Sequence, residues 1–300
     1  MTIKNRLKHA AIPSVRWYVR RAPWKFLKLG LLDLCERAEL AYEIDTLDGI
    51  RMAGTTGDFV QSTVYFFGEW EPNISAWVRR TLRPGDVFVD VGANVGYYSL
   101  LAAALVGPSG SVISIEASPS IFVALERNVA LNPQLAGRIR CVNAAVLDRS
   151  GSVTVHHGPG HNAGSTSVVA PASGSWAEAT VPCEPLDRLL GDVAPDAVRL
   201  IKIDVEGAEW FVAQGMHEVL ARRSPGLEVL IEIDPRRVRE TGHEPGEVLA
   251  AFTSVGLHPY RIHNGYSRAE QLAPVLGAPA PFDGSFEGET DLVLSPRPPI

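Results

Sequence analysis

The sequence contains little cysteine, and the pattern of its thiols excludes a disulfide scaffold. Cys35, Cys141 and Cys183 are odd in number and lie far apart, so they show neither metal-ligand spacing nor a disulfide framework. Isolated thiols of this kind are typical of a reducing compartment. We therefore expect a cytoplasmic protein, with a peripheral position at the inner face of the membrane as an open alternative.

Long hydrophobic runs are also absent. No stretch approaches the roughly 18 apolar residues of a membrane span. The first residues lack the apolar core and small-residue cleavage site of a signal peptide. Yet 46% of the 300 residues are hydrophobic, which is enough for the core of one large α/β domain with an appendage.

Acidic residues are missing from residues 1–28, which carry eight Lys and Arg interleaved with Trp17, Tyr18, Trp24 and Phe26. The rest of the chain has 20 basic against 34 acidic residues. Such an arm fits a helix folded onto the acidic body of its own or a neighbouring subunit. Peripheral contact with an anionic membrane through residues 1–28 is the second alternative, and nucleic acid is a weaker third.

The most informative segment is G-D-V-F-V-D-V-G-A-N-V-G-Y at residues 85–97. A run of β-formers ends near Asp90, a turn of small residues follows, and an apolar helix-like stretch begins at Tyr97. This order predicts a strand, a tight loop and a helix, which form the first unit of an open α/β sheet. The ligand site of such a sheet lies at the carboxyl end of the strand.

The spacing of this loop distinguishes two cofactors. A dinucleotide loop, G-x-G-x-x-G aligned on Gly92, would need glycine where this chain has Asn94 and Tyr97. A carboxylate at Asp90 repels phosphate but accepts hydrogen bonds from an amine, directly or through water. The loop with Gly92, Asn94 and Gly96 therefore predicts a site for the amino-acid end of S-adenosylmethionine rather than for NAD.

Strands and helices alternate along the chain, which predicts a mostly parallel sheet with helices on both faces. We assign residues 1–42 to a helical extension and 43–300 to the α/β domain. The predicted elements are helices over 29–41, 74–82, 120–132, 208–222 and 245–255, and strands over 44–47, 63–67, 112–115, 139–146, 200–205, 227–233, 258–262 and 291–294.

One stretch interrupts this alternation. Residues 156–180 are rich in Gly, Ser, Pro and Ala where a crossover helix would be expected. Long irregular loops in compact domains are usually functional lids or disordered. We expect a lid on the substrate side of the site.

Acidic side chains follow two of the predicted strands. Glu116 ends the second strand, where an acid accepts both ribose hydroxyls of an adenosine. Asp204, Glu206 and Glu209 follow the fourth strand in I-K-I-D-V-E-G-A-E, beside the cofactor crevice. Glu209 also fits a capping position at the start of a helix. These three acids could together hold a divalent cation, but no fourth ligand is identifiable, so we expect no metal.

These motifs resemble the FkbM family of S-adenosylmethionine-dependent methyltransferases over about residues 55–235. The resemblance rests on Glu71, the 85–99 segment, S-I-E-A-S-P at 114–119, the helix of 125–132 with its two asparagines, and the 201–209 motif. The last motif is specific to the family, whereas the glycine loop marks only the wider class I methyltransferases. Ala117 is a mild departure, and residues 1–28 lie outside the family pattern.

The resemblance implies a Rossmann-like class I fold with a mostly parallel seven-stranded sheet, and S-adenosylmethionine as cofactor. It also implies methylation of a hydroxyl on a sugar, glycolipid or polyketide-like natural product. The expected cofactor-binding residues are Glu71, Asp90, Gly92, Asn94, Gly96, Tyr97, Glu116 and Asn143. The expected catalytic residues are Asp204, Glu206, Glu209 and Glu232. RNA or protein methylation, and a cofactor-binding or scaffold protein without turnover, are the alternative functions.

An alcohol acceptor must lose its proton, and a nearby carboxylate or histidine can take it. The candidate bases are Asp204 and Glu206, followed by Glu232 at the end of the fifth strand. His161 and His263 are weaker candidates, because a lone histidine is more often structural or merely exposed.

The ribose assignment is testable by substitution. Glu116→Ala should weaken S-adenosylmethionine binding by roughly ten- to a hundredfold, because a hydrogen bond to a charged group contributes about 1.5–3 kcal/mol. Calorimetric titration of both proteins measures this ratio. Unchanged affinity would place the ribose contact elsewhere.

Overall fold

The computed structural model describes residues 16–17, 25–158, 166–169, 176–267, 270–271 and 275–298. Most of the basic arm, His161 and much of the expected lid lie outside these residues, so the expectations for them remain predictions. Arg16, within the arm, donates from Nη2 to the Asp45 carbonyl at 3.1 Å. No helix of the described chain is long and apolar enough to cross a bilayer.

Strands and helices alternate through most of the described chain. The helices are α1 (Lys25–Ala38), α2 (Phe59–Phe67), α3 (Pro72–Thr81), α4 (Tyr97–Val106), α5 (Pro119–Ala130), α6 (Pro133–Ala136), α7 (Leu186–Leu189), α8 (Glu209–Gln214), α9 (His217–Ala221), α10 (Pro235–Glu240) and α11 (Pro245–Thr253). The strands are β1 (Ala41–Asp45), β2 (Arg51–Thr55), β3 (Val87–Val91), β4 (Ser111–Ile115), β5 (Ile139–Val142), β6 (Ala145–Val146), β7 (Gly151–His157), β8 (Thr166–Ser167), β9 (Trp176–Glu184), β10 (Val198–Ile203), β11 (Glu228–Ile233), β12 (His258–Arg261), β13 (Ala280–Pro281) and β14 (Thr290–Ser295).

The main sheet has the strand order β13-β12-β14-β11-β10-β3-β4-β5. The five strands from β11 to β5 pair in parallel, and β14, β12 and β13 pair antiparallel at the other edge. Seven of these strands make the expected mostly parallel sheet, and the two-residue β13 extends its edge. From β3 the sheet is extended to one side by β4 and β5 and to the other by β10 and β11. A ligand crevice opens at such a switch point in folds of this kind.

The two faces of the sheet carry separate cores, because successive side chains of a strand point to opposite faces. Phe88 packs with α1 to α5 on one face, while Val87 and Val89 pack with α8, α9 and α11 on the other. Helices thus cover both faces, as expected. All five residues of β3 are buried, which agrees with a central parallel strand.

Local sequence signals set the starts of several helices. Ser118 caps α5 by accepting from the Ile121 amide, and Pro119 occupies the first turn. Asp234 caps α10 in the same way before Pro235. The helix expected after Pro119 is therefore confirmed, with its end two residues earlier than expected.

Three expected elements were wrong. The single strand expected over 139–146 is β5 and β6, which belong to different sheets. The strand expected at Thr63–Phe67 is the second half of α2, because Asp58 caps the helix at its start and Gly68, in the left-handed region, ends it. Its apolar residues are buried by tertiary packing rather than by strand pairing. The single helix expected over 208–222 is split into α8 and α9 at Gly215, whose backbone lies against the Leu147 carbonyl with no room for a side chain.

The 156–180 stretch is more ordered at its ends than expected. β7 and β9 pair antiparallel over most of their length and belong to a second sheet of order β6-β9-β7-β8. Thr166, Ser167 and Val168, from the middle of the stretch, lie at the wall of the main cavity. The segments 159–165 and 170–175 are outside the described residues.

The two asparagines of the 125–132 segment attach the β1–β2 hairpin to the domain. Asn128 accepts from the Ala53 amide at 2.9 Å and donates to the Val95 carbonyl at 2.8 Å. Asn132 accepts from the Arg51 amide and donates to the Arg51 carbonyl. Asn128 therefore ties the hairpin to the glycine loop that follows β3.

Replacing Asn128 with leucine should lower the free energy of unfolding by about 2–4 kcal/mol, because two buried backbone groups would lose their partner. Urea titration measures the change. Arg127→Leu, on the exposed side of the same helix, is the matched control and should stay within about 0.5 kcal/mol of wild type. Equal stability of the two variants would contradict the role of Asn128.

Candidate active site

A cavity of about 370 Å³ opens at the carboxyl ends of β3, β4 and β10. Eight of the predicted site residues lie at its wall: Glu71, Gly92, Asn94, Tyr97, Glu116, Asp204, Glu206 and Glu232. The other four, Asp90, Gly96, Asn143 and Glu209, stand behind this wall. The sequence motifs therefore converge on one place, although they are up to 160 residues apart in the chain.

The loop after β3 is shaped by residues in the left-handed region. Gly92, Asn94 and Gly96 have φ of 83°, 48° and 90°. The amides of Gly92 and Ala93 both donate to the Ile115 carbonyl, which holds the loop against the end of β4. A Cβ at Gly92 would overlap the Asp204 carbonyl oxygen. Only glycine thus lets the loop meet the end of β10.

Glu116 bonds to backbone amides on two sides. Its Oε2 accepts from the Asn94 amide and its Oε1 from the Ser118 amide, both at 2.8 Å. Burial raises the pKa of Glu116 to about 7, although these two hydrogen bonds oppose the rise. Asn143 donates to the Glu116 and Ala117 carbonyls and so fixes this strand end from behind. The predicted ribose acid therefore also holds the glycine loop in place.

Asp90 lies beneath the loop and does not reach the cavity wall. Ser99 donates to its Oδ2 at 2.6 Å, and Ser114 donates to Ser99 at 2.7 Å. Its Oδ1 is buried without a hydrogen-bond partner among the described residues. Burial raises the pKa of Asp90. The acid predicted to accept from the cofactor amine thus has one free acceptor atom.

Asp204 forms an ion pair with a buried lysine that the sequence analysis missed. Lys202 Nζ lies 2.7 Å from Asp204 Oδ2 and 4.9 Å from the centre of the Tyr98 ring. Burial opposes the charge of the lysine, but Asp204, Glu71 and Asp90 together raise the pKa of Lys202. Lys202 stands two residues before Asp204 in a quoted motif, so its position in a buried strand was the available signal.

Glu206 and Glu209 have different surroundings. Glu206 faces the cavity, has φ of 54°, and pairs with Arg237 at 3.3 Å. Burial raises the pKa of Glu206 to about 8. Glu209 accepts from the Gly207 amide at 2.8 Å, at the start of α8, and does not line the cavity. The N-cap residue of this helix is Ala208, and no side chain caps it, so the capping position expected for Glu209 is not found.

Glu232 and Glu71 meet at a tyrosine. The Tyr266 hydroxyl lies 2.8 Å from Glu71 Oε1 and 3.0 Å from Glu232 Oε2. Glu71 also accepts from the Tyr98 hydroxyl at 2.7 Å. Tyr266 sits in a late irregular segment with no recognisable motif, so no sequence signal predicted it.

Two further residues have distinct roles. The Tyr97 ring lies at the cavity wall, and its hydroxyl contacts Ser75 at 3.1 Å. His263 lies 3.8 Å from Glu270 on the exposed surface and does not line the cavity. His263 is therefore not placed to act as the base, and His161 lies outside the described residues.

In the described part of the chain, one group of three carboxylates can hold a metal ion: Glu71, Glu232 and Asp291. The set considered from the sequence, Asp204, Glu206 and Glu209, does not converge, because Lys202, Arg237 and the Gly207 amide each engage one of its members. Tyr98, Tyr266 and Asn264 already occupy oxygens of Glu71.

The chemistry of the cavity fits S-adenosylmethionine. Its volume lies in the range of small-ligand sites, about 300–1,000 Å³. Glu116 suits ribose hydroxyls, and the surrounding carboxylates suit a sulfonium cation. Asp90 adds negative charge beneath the loop but does not reach the cavity. The loop carries Asn94 and Tyr97 where a dinucleotide fingerprint requires glycine.

Comparison with known proteins identifies the chain. A family model described as the methyltransferase FkbM domain matches residues 90–259, more than half of the sequence. The fold and the family model together define a methyltransferase domain of the class I type. The chain belongs to the FkbM methyltransferase family, which confirms the resemblance and the cofactor expected from the sequence.

The curated relatives match this chain over only part of their length. Methyltransferase sdnD of Sordaria araneosa is 27% identical over 157 residues, which cover 43% of this chain and 60% of that protein. The 31-O-demethyl-FK506 methyltransferase FkbM of Streptomyces tacrolimicus is 44% identical over 70 residues, 23% of this chain and 25% of that protein. The chain therefore spans three fifths or less of these curated relatives. The crystal structure of methyltransferase FkbM from Methylobacillus flagellatus is 13% identical, with a TM-score of 0.47 over 95% of this chain and 59% of that one.

The close approach of Gly92 to Asp204 predicts a large effect of one methyl group. Gly92→Ala should destabilise the fold by about 2–5 kcal/mol, from the left-handed backbone and the overlap together, and should abolish measurable cofactor binding. Thermal unfolding and calorimetry test both effects.

Gly85→Ala is the matched control. Gly85 also has a positive φ of 95°, but its new Cβ would approach nothing nearer than Ser109 Oγ at 3.7 Å. It should cost only about 1–2 kcal/mol and leave cofactor affinity unchanged. Similar behaviour of the two variants would refute the close-contact argument.

Proposed function

We propose that the protein transfers a methyl group from S-adenosylmethionine to a hydroxyl oxygen of a sugar, glycolipid or polyketide-like natural product. One observation carries the proposal. The cofactor loop and the carboxylates of Asp204, Glu206 and Glu232 line the same cavity. An already activated methyl group needs an aligned acceptor and a base for its proton, and this cavity supplies the base.

When bound, the cofactor supplies a methyl group on a sulfonium, which needs no further activation. The protein must then hold the acceptor oxygen in line and exclude water, and such positioning contributes about 7–11 kcal/mol. The buried walls formed by Tyr97, Tyr98 and Trp70 exclude water on one side. Another side of the cavity is closed by Val155, in β7 of the second sheet, and by Val168, which follows β8.

Asp204 is the principal base in this proposal. It stands at the end of β10, opposite Gly92, and Lys202 holds one of its oxygens at 2.7 Å. This ion pair fixes the orientation of the carboxylate and leaves the other oxygen for the acceptor hydroxyl. Glu232, on the next strand, is the second candidate, and burial raises its pKa well above the usual range.

The printed name of the Streptomyces tacrolimicus relative supports an oxygen acceptor. That protein is named for methylation at an O-demethyl position of FK506, and it shares 44% identity over 70 residues with this chain. Pools of sugars, glycolipids and polyketides, incubated with labelled S-adenosylmethionine, test the acceptor class by mass spectrometry. Label found on nitrogen, on carbon, or on RNA or protein would reject the proposal.

Asp204→Asn should keep cofactor affinity and cut turnover by about a hundredfold or more, because the amide cannot accept the proton. Calorimetry measures the first quantity, and initial rates with the identified acceptor measure the second. Asp196→Asn, on the exposed surface, is the control and should match wild type. Normal turnover of the Asp204 variant would remove this residue from the mechanism.

A further inference from the structure

Two carboxyl groups compete for one hydroxyl at the floor of the cavity. The Tyr266 oxygen lies 2.8 Å from Glu71 Oε1 and 3.0 Å from Glu232 Oε2. Asn264 donates from Nδ2 to the Tyr266 oxygen at 3.0 Å and to Glu71 Oε1 at 2.7 Å. We call Glu71 and Glu232, joined by the Tyr266 hydroxyl, the tyrosine-bridged carboxyls.

Counting hydrogens shows that this arrangement holds an extra proton. A tyrosine hydroxyl has one hydrogen, so it can donate to only one of the two carboxyl oxygens. The second oxygen, at hydrogen-bond distance, needs a hydrogen of its own to make a favourable contact. One of the two carboxyl groups is therefore protonated, and the proton belongs to the pair.

The surroundings of the tyrosine-bridged carboxyls are acidic. Asp291 on β14 stands directly opposite Glu232 on β11, and its carboxylate lies within 4.8 Å of those of Glu71 and Glu232. Asp204, Glu289 and the Tyr98 hydroxyl also face the group, and Lys202 is the nearby cation. That lysine is already paired with Asp204, so the acids exceed the available positive charge.

The direction of the pKa shifts agrees with this count. Burial raises the pKa of Glu71, with Lys202 opposing and Asp204 adding to the rise. Burial raises the pKa of Glu232 further, with Asp204, Asp291 and Glu289 adding to it. Glu289 hydrogen-bonds to Glu232 through its side chain, and a hydrogen bond between two carboxyl groups also requires one of them to be protonated.

The tyrosine-bridged carboxyls line the same cavity as Glu116 and the glycine loop. A cation held in that cavity competes electrostatically with a proton for the same carboxylates. The methyl donor is such a cation, whereas its demethylated product is a neutral thioether. The two ligands thus differ at the one feature to which the group responds.

We propose that Glu71, Tyr266 and Glu232 form a proton site that loses its proton to solvent when the cationic methyl donor binds. Its part in turnover rests on the proposed function, in which Asp204 takes the acceptor proton. In that reaction the acceptor O–H bond breaks as the O–CH₃ bond forms, the C–S electron pair stays on sulfur, and the hydroxyl proton goes to Asp204. The neutral product no longer competes with a proton for the site, which regains one from solvent, so the site loses and gains one proton in each cycle.

Calorimetric titration in buffers of different ionisation enthalpy measures the protons released on binding. At neutral pH, S-adenosylmethionine should release about one proton more than S-adenosylhomocysteine. Because the adenosine and amino-acid parts are identical, their proton contributions cancel in the difference. The difference should shrink as the pH rises, because the site then loses its proton before the ligand arrives.

Variants locate the proton. Glu232→Gln and Tyr266→Phe should abolish most of the difference between the two ligands, while the binding heat itself shows that each variant is folded. Asp196→Asn removes an exposed acid that does not line the cavity and should retain the difference. Tyr42→Phe removes a tyrosine hydroxyl bonded to the Gln61 carbonyl outside the cavity and should also retain it.

Equal proton release by the two ligands in the wild-type protein would overturn the proposal. A full difference in Glu232→Gln or in Tyr266→Phe would also overturn it by placing the proton elsewhere. The measurement needs no acceptor. Its outcome is therefore independent of whether the methyl group goes to oxygen, and the acceptor screen can fail without affecting it.

Discussion

The contact between Gly92 and the Asp204 carbonyl is the constraint on which the site depends. It joins the loop after β3 to the end of β10 with no space for a side chain. The parallel register places Lys202 beside Asp90 in the adjoining strands, so the same contact fixes the buried charges below the loop. Because β3 is central and fully buried, the loop cannot shift without moving the core on both faces. The glycine loop and the 201–209 motif are therefore held against each other.

The second constraint is electrostatic. Glu71, Asp90, Asp204, Glu232 and Asp291 lie close together at the end of the sheet, and Lys202 is the cation among them. A carboxylate removed from water is costly unless it is paired, hydrogen-bonded or protonated. Lys202 pairs with Asp204. Ser99 donates a hydrogen bond to Asp90, and Tyr98 donates one to Glu71. The Tyr266 hydroxyl lies between the carboxyl groups of Glu71 and Glu232. Such a site is suited to a cationic cofactor, whose charge completes the balance.

Particular elements show how far sequence reasoning reached. The strand–loop–helix unit at 85–106 has a local code of small residues and β-formers, so both its structure and its ligand class could be predicted. Residues 63–67 have β-forming side chains, yet Asp58 and Gly68 place them in a helix. The split at Gly215 depends on the distant Leu147 carbonyl, which no local pattern reveals. Glu209 could be catalytic or capping from its position, yet it bonds the Gly207 amide behind the cavity wall and does not cap its helix.

The sequence by itself determined the order of elements, the cofactor and the family, because these depend on short motifs whose residue types are required by backbone geometry and charge. Tertiary structure alone decided which acids share a cavity. Glu71, Glu232 and Tyr266 come from three separated segments, and strand order and register bring them within hydrogen-bond distance. It also decided that Lys202 faces inward beside Asp90, and that Asp90 and Glu209 stand behind the wall. Proximity between distant segments follows from packing of the whole sheet, and packing is not encoded in any one motif.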